Sequence, residues 1–112
     1  MNLFDASLAE LAASLAAREF SARELATAYL DRIATANPAL NAYCALDRGI
    51  TLAEADAADA RRAAGTAGPL TGVPIAHKDI FVADGWVSAC GSKMLANFVG
   101  PYDATVIGYF KA

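Results

Sequence analysis

Residues 72–79 read Gly72-Val73-Pro74-Ile75-Ala76-His77-Lys78-Asp79, an apolar segment that ends in a lysine. The run predicts a strand over residues 73–77. Pro74 restricts it to a strand start or a sheet edge, because proline has no backbone N–H to donate. Burial would disfavour the ammonium form of Lys78 and lower its pKa, and a neutral amine can act as a base. From the residues alone, the commoner role of such a lysine is structural, with its ammonium in solvent or paired with Asp79.

Three helices are predicted before this segment, over residues 7–17, 21–36 and 51–64. Each begins with a hydroxyl residue (Ser7, Ser21 or Thr51) and carries a glutamate three positions later, which is the capping-box pattern. The second helix is expected to end before Pro38, because a proline disfavours the helical conformation of the residue that precedes it.

Apolar side chains recur at helical spacing in all three segments. The sets are Phe4, Leu8, Leu11 and Leu15, then Leu25, Tyr29 and Ile33, then Ala53, Ala57, Ala60 and Ala64. We therefore expect the first two helices to bury large side chains. The third is expected to lie close to a neighbour on its alanine face.

The remaining segments complete an α/β prediction, with N-terminal helices packed on the first strands of a mixed sheet. Residues 42–46 form a second short apolar run that predicts a strand, while Ser92 and Asp103 are predicted to cap a short helix over residues 93–97 and a final helix. The predicted organisation is helical over residues 1–40, strand and helix over 41–66, lysine strand and following loop over 67–100, and final helix over 101–112. We expect residues 1–112 to be the N-terminal part of a single domain.

Composition narrows the class of protein. Hydrophobic residues make up 56% of the chain and charged residues 19%, against a usual charged share of about 25%, as expected for part of a larger core. The net charge of −3, with scattered basic residues, argues against charge-driven nucleic-acid binding. No apolar run approaches the roughly 18 residues that cross a bilayer, and no secretory signal opens the chain. We expect a cytoplasmic protein without a membrane partner.

Few residues could bind a metal or act as nucleophiles. Cys44 and Cys90 have no metal-binding spacing and are predicted to be reduced and buried. One histidine leaves no ligand set for zinc, so neither a metal nor a cofactor site is predicted. Structural roles are predicted for Ser92 (a helix cap), His77 (a core or interface residue), Trp86 (loop packing) and Ser88, which no glycine-rich turn presents as a nucleophile.

Three segments carry a resemblance to a known family. Residues 70–79, Leu70 to Asp79, closely resemble the lysine-bearing strand of the amidase-signature family. The opening from Ser7 to Glu24 is similar to the tRNA-dependent amidotransferase branch of that family. So are residues 90–98 and 101–106, which read Cys90-Gly91-Ser92-Lys93-Met94-Leu95-Ala96-Asn97-Phe98 and Pro101-Tyr102-Asp103-Ala104-Thr105-Val106. The likeness extends to Ile107; the lysine strand marks the family, and the later segments mark the branch.

The resemblance implies an incomplete amidase-signature fold and a Ser–cis-Ser–Lys triad in which Lys78 accepts a proton. The family's two serines lie in a glycine- and serine-rich stretch beyond the last residue of this chain. We therefore expect the 112 residues alone to be inactive, and we expect a truncated or altered reading frame to explain the length.

For the whole protein, the resemblance implies an enzyme, the glutaminase component of a heterotrimeric amidotransferase with subunits B and C. It would hydrolyse glutamine and supply ammonia to amidate misacylated Glu-tRNA(Gln) or Asp-tRNA(Asn), a choice left open here. The B subunit would hold most of the tRNA and use ATP and magnesium. Two other interpretations stay open: a stand-alone amidase of the same family, and a non-enzymatic helical binding module in which Lys78 is structural.

Overall fold

Four α-helices and one 3₁₀ helix are the regular elements of the computed structural model, which describes residues 1–112. They are α1 (Leu8–Ala16), α2 (Ala22–Leu40), α3 (Arg48–Ala63), the 3₁₀ helix (Lys93–Leu95) and α4 (Thr105–Lys111). The chain divides into two compact units, Met1–Pro74 and Ile75–Ala112. The first unit contains α1 to α3, and the second contains Lys78. None of the helices is long and apolar enough to cross a membrane.

The starts of α1 and α2 confirm two of the three predicted capping boxes. Ser7 Oγ accepts from the Glu10 N–H at 3.3 Å, and the Glu10 carboxylate accepts from the Ser7 N–H at 2.7 Å. The corresponding distances for Ser21 and Glu24 are 3.0 and 2.8 Å. These bonds satisfy amides that have no partner within the helix. Hydrogen bonds from the serine side chain and backbone hold the pKa of each glutamate below its usual value of 4.5.

The first unit is expected to lose stability in acid through these two glutamates. Their pKa values are lowered by folding, so their contribution is present above about pH 4.5 and is lost as the pH falls through the folded-state values. A Glu10→Gln, Glu24→Gln double variant should therefore show a smaller difference between urea midpoints, followed by helical circular dichroism, at pH 7 and about pH 3. Glu54→Gln, an exposed position outside any capping box, is the matched control. Equal acid sensitivity in the wild type and the double variant would contradict the assignment.

The core of the first unit lies between α1, α2 and α3. Leu11, Leu15 and Leu25 are buried as predicted, together with Ala22 and Ala26. The predicted faces are partly wrong, however. Leu8 is 55% exposed and Ile33 is half-buried, whereas Tyr29, also half-buried, packs against the core as predicted.

Phe4 packs against the outer side of α2 rather than within the core. Its ring meets that of Tyr29 edge-on at 5.4 Å between centroids, and the Arg32 guanidinium lies 4.4 Å from its centre. The Tyr29 hydroxyl donates to the Leu3 carbonyl at 3.1 Å. These contacts hold the N-terminal residues to α2.

The predicted start and buried face of α3 are both wrong. The helix begins after Asp47, whose carboxylate accepts from the Ile50 N–H at 2.8 Å, so Thr51 lies within the first turns and does not cap. The predicted stripe of Ala53, Ala57, Ala60 and Ala64 is exposed. The side facing the core carries Leu52, Ala55 and Ala58. This side is buried because Leu52 has a larger apolar side chain than any residue of the alanine stripe.

α2 continues through Pro38 to Leu40, beyond its predicted end. Proline removes one backbone hydrogen bond from a helix. Asn37, in the same turn, stabilises the C-terminal end of α2. Its side-chain oxygen accepts from the Ala42 and Tyr43 N–H groups at 2.8 and 2.9 Å. Asn41, in the left-handed region at φ 50°, donates its N–H to the Asn37 carbonyl.

Carboxylates of α3 bind the N-terminal turn of α2. Asp59 accepts from the N–H groups of Ala22 and Arg23 at 2.7 and 3.1 Å, and Arg23 pairs with Asp56. The exposed ion pair adds little stability. The Asp59 carboxylate satisfies helix N–H groups and complements the positive end of the helix dipole. No capping pattern within α2 predicts this contact, because Asp59 is distant in sequence.

The predicted mixed sheet is not confirmed, since residues 42–46 and 73–77 form no strand. The only bridges are isolated ones, Asp84 with Gly100 and Val87 with Val99. A strand exists only where a second strand accepts and donates its backbone hydrogen bonds, and no segment among these residues pairs with either run. Val73 instead packs on the core of the first unit. Gly72 approaches α2 so closely that an added Cβ would lie 2.9 Å from that of Ala22.

Candidate functional site

Lys78 lies in the second unit with its side chain exposed. Its carbonyl accepts from the Phe81 N–H at 3.0 Å, which closes a turn immediately after it. The neighbouring His77 is also exposed, so it is not a core residue, and the alternative of an interface residue stays a prediction. The role of Lys78 as a base stays a prediction, because the reaction also requires the two serines that the resemblance places outside these 112 residues.

The Asp79 carboxylate binds the backbone rather than Lys78. Its two oxygens accept from the N–H groups of Ala89 and Gly91, at 3.1 and 3.2 Å, while the Cys90 thiol lies 3.8 Å from the Asp79 carbonyl oxygen. The carboxylate thus links the lysine segment to a turn ten to twelve residues later. The alternative of an ion pair between Lys78 and Asp79 is not what the structure contains.

Backbone hydrogen bonds hold the rest of the second unit, which buries few apolar side chains. Gly85 donates to Gly100 at 2.9 Å, Gly100 donates to Trp86 at 2.8 Å, and Ser88 donates to Phe98 at 3.0 Å. Gly100 is buried, and an added Cβ would collide with the Ala83 carbonyl oxygen. A glycine is therefore required where these two segments cross.

Asp103 does not cap α4, which begins after Ala104 without a side-chain cap. Its carboxylate accepts from the Asp84 N–H at 2.8 Å and from the Lys111 ammonium at 3.0 Å. The Asp84 N–H, and then Lys111, hold the pKa of Asp103 below its usual value. The residue therefore joins the end of the loop to α4.

The other candidates have structural positions. Ser92 accepts from the Met94 N–H at 3.2 Å, which confirms its prediction as a cap. Ser88 is buried and Trp86 is half-buried. Cys44 and Cys90 are free thiols, but both are exposed, so their predicted burial is wrong. No group of three or more His, Cys, Asp and Glu side chains could hold a metal ion.

Residues 24–112 match the family model named Amidase, and the chain belongs to this family. The resemblance to the amidase-signature family inferred from residues 70–79 is thereby confirmed. The match includes the Lys78 segment, the loop that follows it and α4.

Several relatives similar in sequence share one name, the A subunit of glutamyl-tRNA(Gln) amidotransferase. The chain is 67% identical over 106 residues to the protein of that name from Thiobacillus denitrificans, covering 95% of this chain and 22% of the relative. It is 63% identical over 105 residues to the one from Dechloromonas aromatica, covering 94% and 22%. The chain thus spans about 22% of the length of these curated relatives, and its likeness to the tRNA-dependent branch is confirmed.

Solved structures also match the chain in shape. One is described as an unexpected vestigial protein complex that reveals the evolutionary origins of an s-triazine catabolic enzyme. A chain of it matches with a TM-score of 0.86 and 30% identity, covering 95% of this chain and 24% of that one. The inhibitor-bound form of the same complex matches with a TM-score of 0.85.

Proposed function

We propose that this chain is part of the glutamine-hydrolysing component of a tRNA-dependent amidotransferase. The observation that carries the proposal is its 67% identity, over 95% of its length, to the A subunit of such an enzyme. The name shared by these relatives favours the amidotransferase over a stand-alone amidase of the same family.

In this proposal, Lys78 is the proton acceptor. The reaction requires an unprotonated Lys78 amine, which takes a proton, through a bridging serine, from a nucleophilic serine. That serine attacks the side-chain amide carbon of glutamine, the nitrogen leaves as ammonia with the proton returned through the same bridge, and water hydrolyses the acyl-enzyme to glutamate. Both serines would come from sequence outside these 112 residues. Asp79 holds the backbone next to Lys78 to the turn of residues 89–91, which supports a fixed position for the segment that carries the amine.

The same proposal assigns the partners. Subunits B and C would complete a cytoplasmic complex, and ammonia would pass to the B subunit, which uses ATP and magnesium to activate Glu-tRNA(Gln) or Asp-tRNA(Asn). The net charge of −3 supports a division in which the B subunit binds most of the tRNA phosphate.

Co-expression tests the proposal against its rival. In a full-length chimera, residues 1–107 of this chain replace the corresponding segment of the Thiobacillus denitrificans relative. We expect the chimera to co-purify with subunits B and C and to release ammonia from glutamine in that complex. A chimera that purifies alone and hydrolyses simple amides without the other subunits would support the stand-alone amidase. The unmodified relative, prepared in parallel, is the control.

A further inference from the structure

The carboxylate of Asp79 holds a turn that contains a left-handed residue. Cys90 has φ 51°, a conformation that costs free energy for a residue with a Cβ. The N–H groups on either side of it, from Ala89 and Gly91, both point at the two oxygens of Asp79. The Ser92 N–H closes the turn onto the Ala89 carbonyl at 2.8 Å. Hydrogen bonds to a charged acceptor are the stronger kind, so Asp79 compensates for the cost of this backbone shape.

The same carboxylate restrains the backbone next to Lys78. The Lys78 side chain is exposed and forms no ion pair, so the position of its amine depends on the backbone that carries it. Both restraints act on the C-terminal side of Lys78. The Lys78 carbonyl accepts from the Phe81 N–H, and the side chain of the next residue, Asp79, accepts two hydrogen bonds from a turn distant in sequence.

We propose that Asp79 is a positioning residue for Lys78: it anchors the lysine segment to the turn of residues 89–91 and so sets where the amine lies. This inference rests on the proposed function, in which Lys78 accepts a proton. A displacement of about 1 Å in a reacting group can slow a reaction about 100-fold. Loss of the anchor should therefore lower kcat more than it raises KM, because glutamine binding does not require the amine to be in place.

The test compares variants in the full-length chimera assembled with subunits B and C. Asp79→Asn keeps the shape of the side chain but places an NH₂ group against one of the two backbone N–H groups. We expect kcat for glutamine hydrolysis to fall about 10- to 100-fold, KM to stay within about 2-fold, and amide hydrogen exchange at Ala89 and Gly91 to accelerate. Asp79→Glu keeps both acceptor oxygens and should recover part of the lost kcat.

Asp103→Asn is the matched control, because it makes the same chemical change to another carboxylate of the second unit that accepts a backbone N–H. It should leave kcat within about 3-fold of the wild type. An equal loss of kcat in both asparagine variants would overturn the inference, since any loosening of the loop would then suffice.

Failure of the inference can be told from failure of the proposed function. If Lys78→Ala is inactive while Asp79→Asn has the kcat of the wild type, only the role of Asp79 is refuted. If Lys78→Ala keeps its activity, the proposed function falls, and the role of Asp79 falls with it. Should Asp79→Asn not assemble, Asp79→Glu decides through two readouts. A kcat that falls together with faster amide exchange at Ala89 and Gly91, at unchanged KM, supports the anchor, and faster exchange with a wild-type kcat overturns it.

Discussion

Changing Lys78 to alanine in the full-length chimera is expected to slow glutamine hydrolysis by about 10²- to 10⁴-fold, the usual cost of losing a positioned proton acceptor. Alanine has no group that can take a proton from a nucleophile. The side chain is exposed and unpaired in the second unit, so its removal should leave folding and assembly with subunits B and C unchanged. Ammonia release under saturating glutamine is the measurement, with co-purification as the check on assembly.

Lys93→Ala is the matched control for this variant. Lys93 is also an exposed lysine of the second unit and lies in the 3₁₀ helix capped by Ser92. We expect the Lys93→Ala variant to have the turnover of the wild type, because the Lys93 side chain makes no hydrogen bond to the segment that contains Lys78. Near-normal turnover in Lys78→Ala would remove the lysine from the reaction and favour the interpretation in which it is structural.

Changing Leu25 to aspartate should lower the free energy of unfolding of the first unit by about 4 kcal/mol or more. Leu25 is 0% exposed, in the cluster with Leu11, Leu15 and Ala55. The variant loses the burial of a leucine, about 2–5 kcal/mol when a cavity remains, and adds an unpaired charge in an apolar surrounding. Domains of this size are stable by about 5–15 kcal/mol, so most of the helical circular dichroism should be lost at low urea.

The control for Leu25 is Leu8→Asp. Both leucines belong to helices of the first unit, but Leu8 is 55% exposed at the first position of α1. The urea midpoint of this variant should stay close to that of the wild type, because its free energy of unfolding should change by no more than about 0.5 kcal/mol. A large loss in Leu8→Asp would mean that the face predicted from residue spacing is buried after all, and an unchanged midpoint in Leu25→Asp would contradict the observed core.

The elements predicted correctly are those in which the interacting groups are two or three residues apart. The capping boxes at Ser7 and Ser21 and the cap at Ser92 form as their local patterns indicate. Thr51 has the same pattern, yet Asp47 lies four residues earlier and binds the Ile50 N–H. Two local signals competed there, and sequence spacing alone does not rank them.

The strand predictions failed for a different reason. An apolar run shows that a segment can be buried, but a strand also requires a partner strand, which the run itself does not specify. Residues 73–77 have the composition of a strand, while Val73 packs on the core of the first unit instead. The same limit applies to α3, where composition indicated an alanine face and the neighbouring helix selected the side that carries Leu52 and Ala55.

Residue order was therefore enough to indicate the helical N-terminal half, its first two caps and the family, while the role of Lys78 stays a prediction. Long-range hydrogen bonds were decided by tertiary structure alone: Asp59 with the start of α2, Asp103 with Asp84, and Asp79 with the turn at residues 89–91. Each of these carboxylates could have served a local cap or ion pair. Which N–H groups it satisfies depends on which segments the folded chain brings within about 3 Å, and that distance is a property of the packed chain.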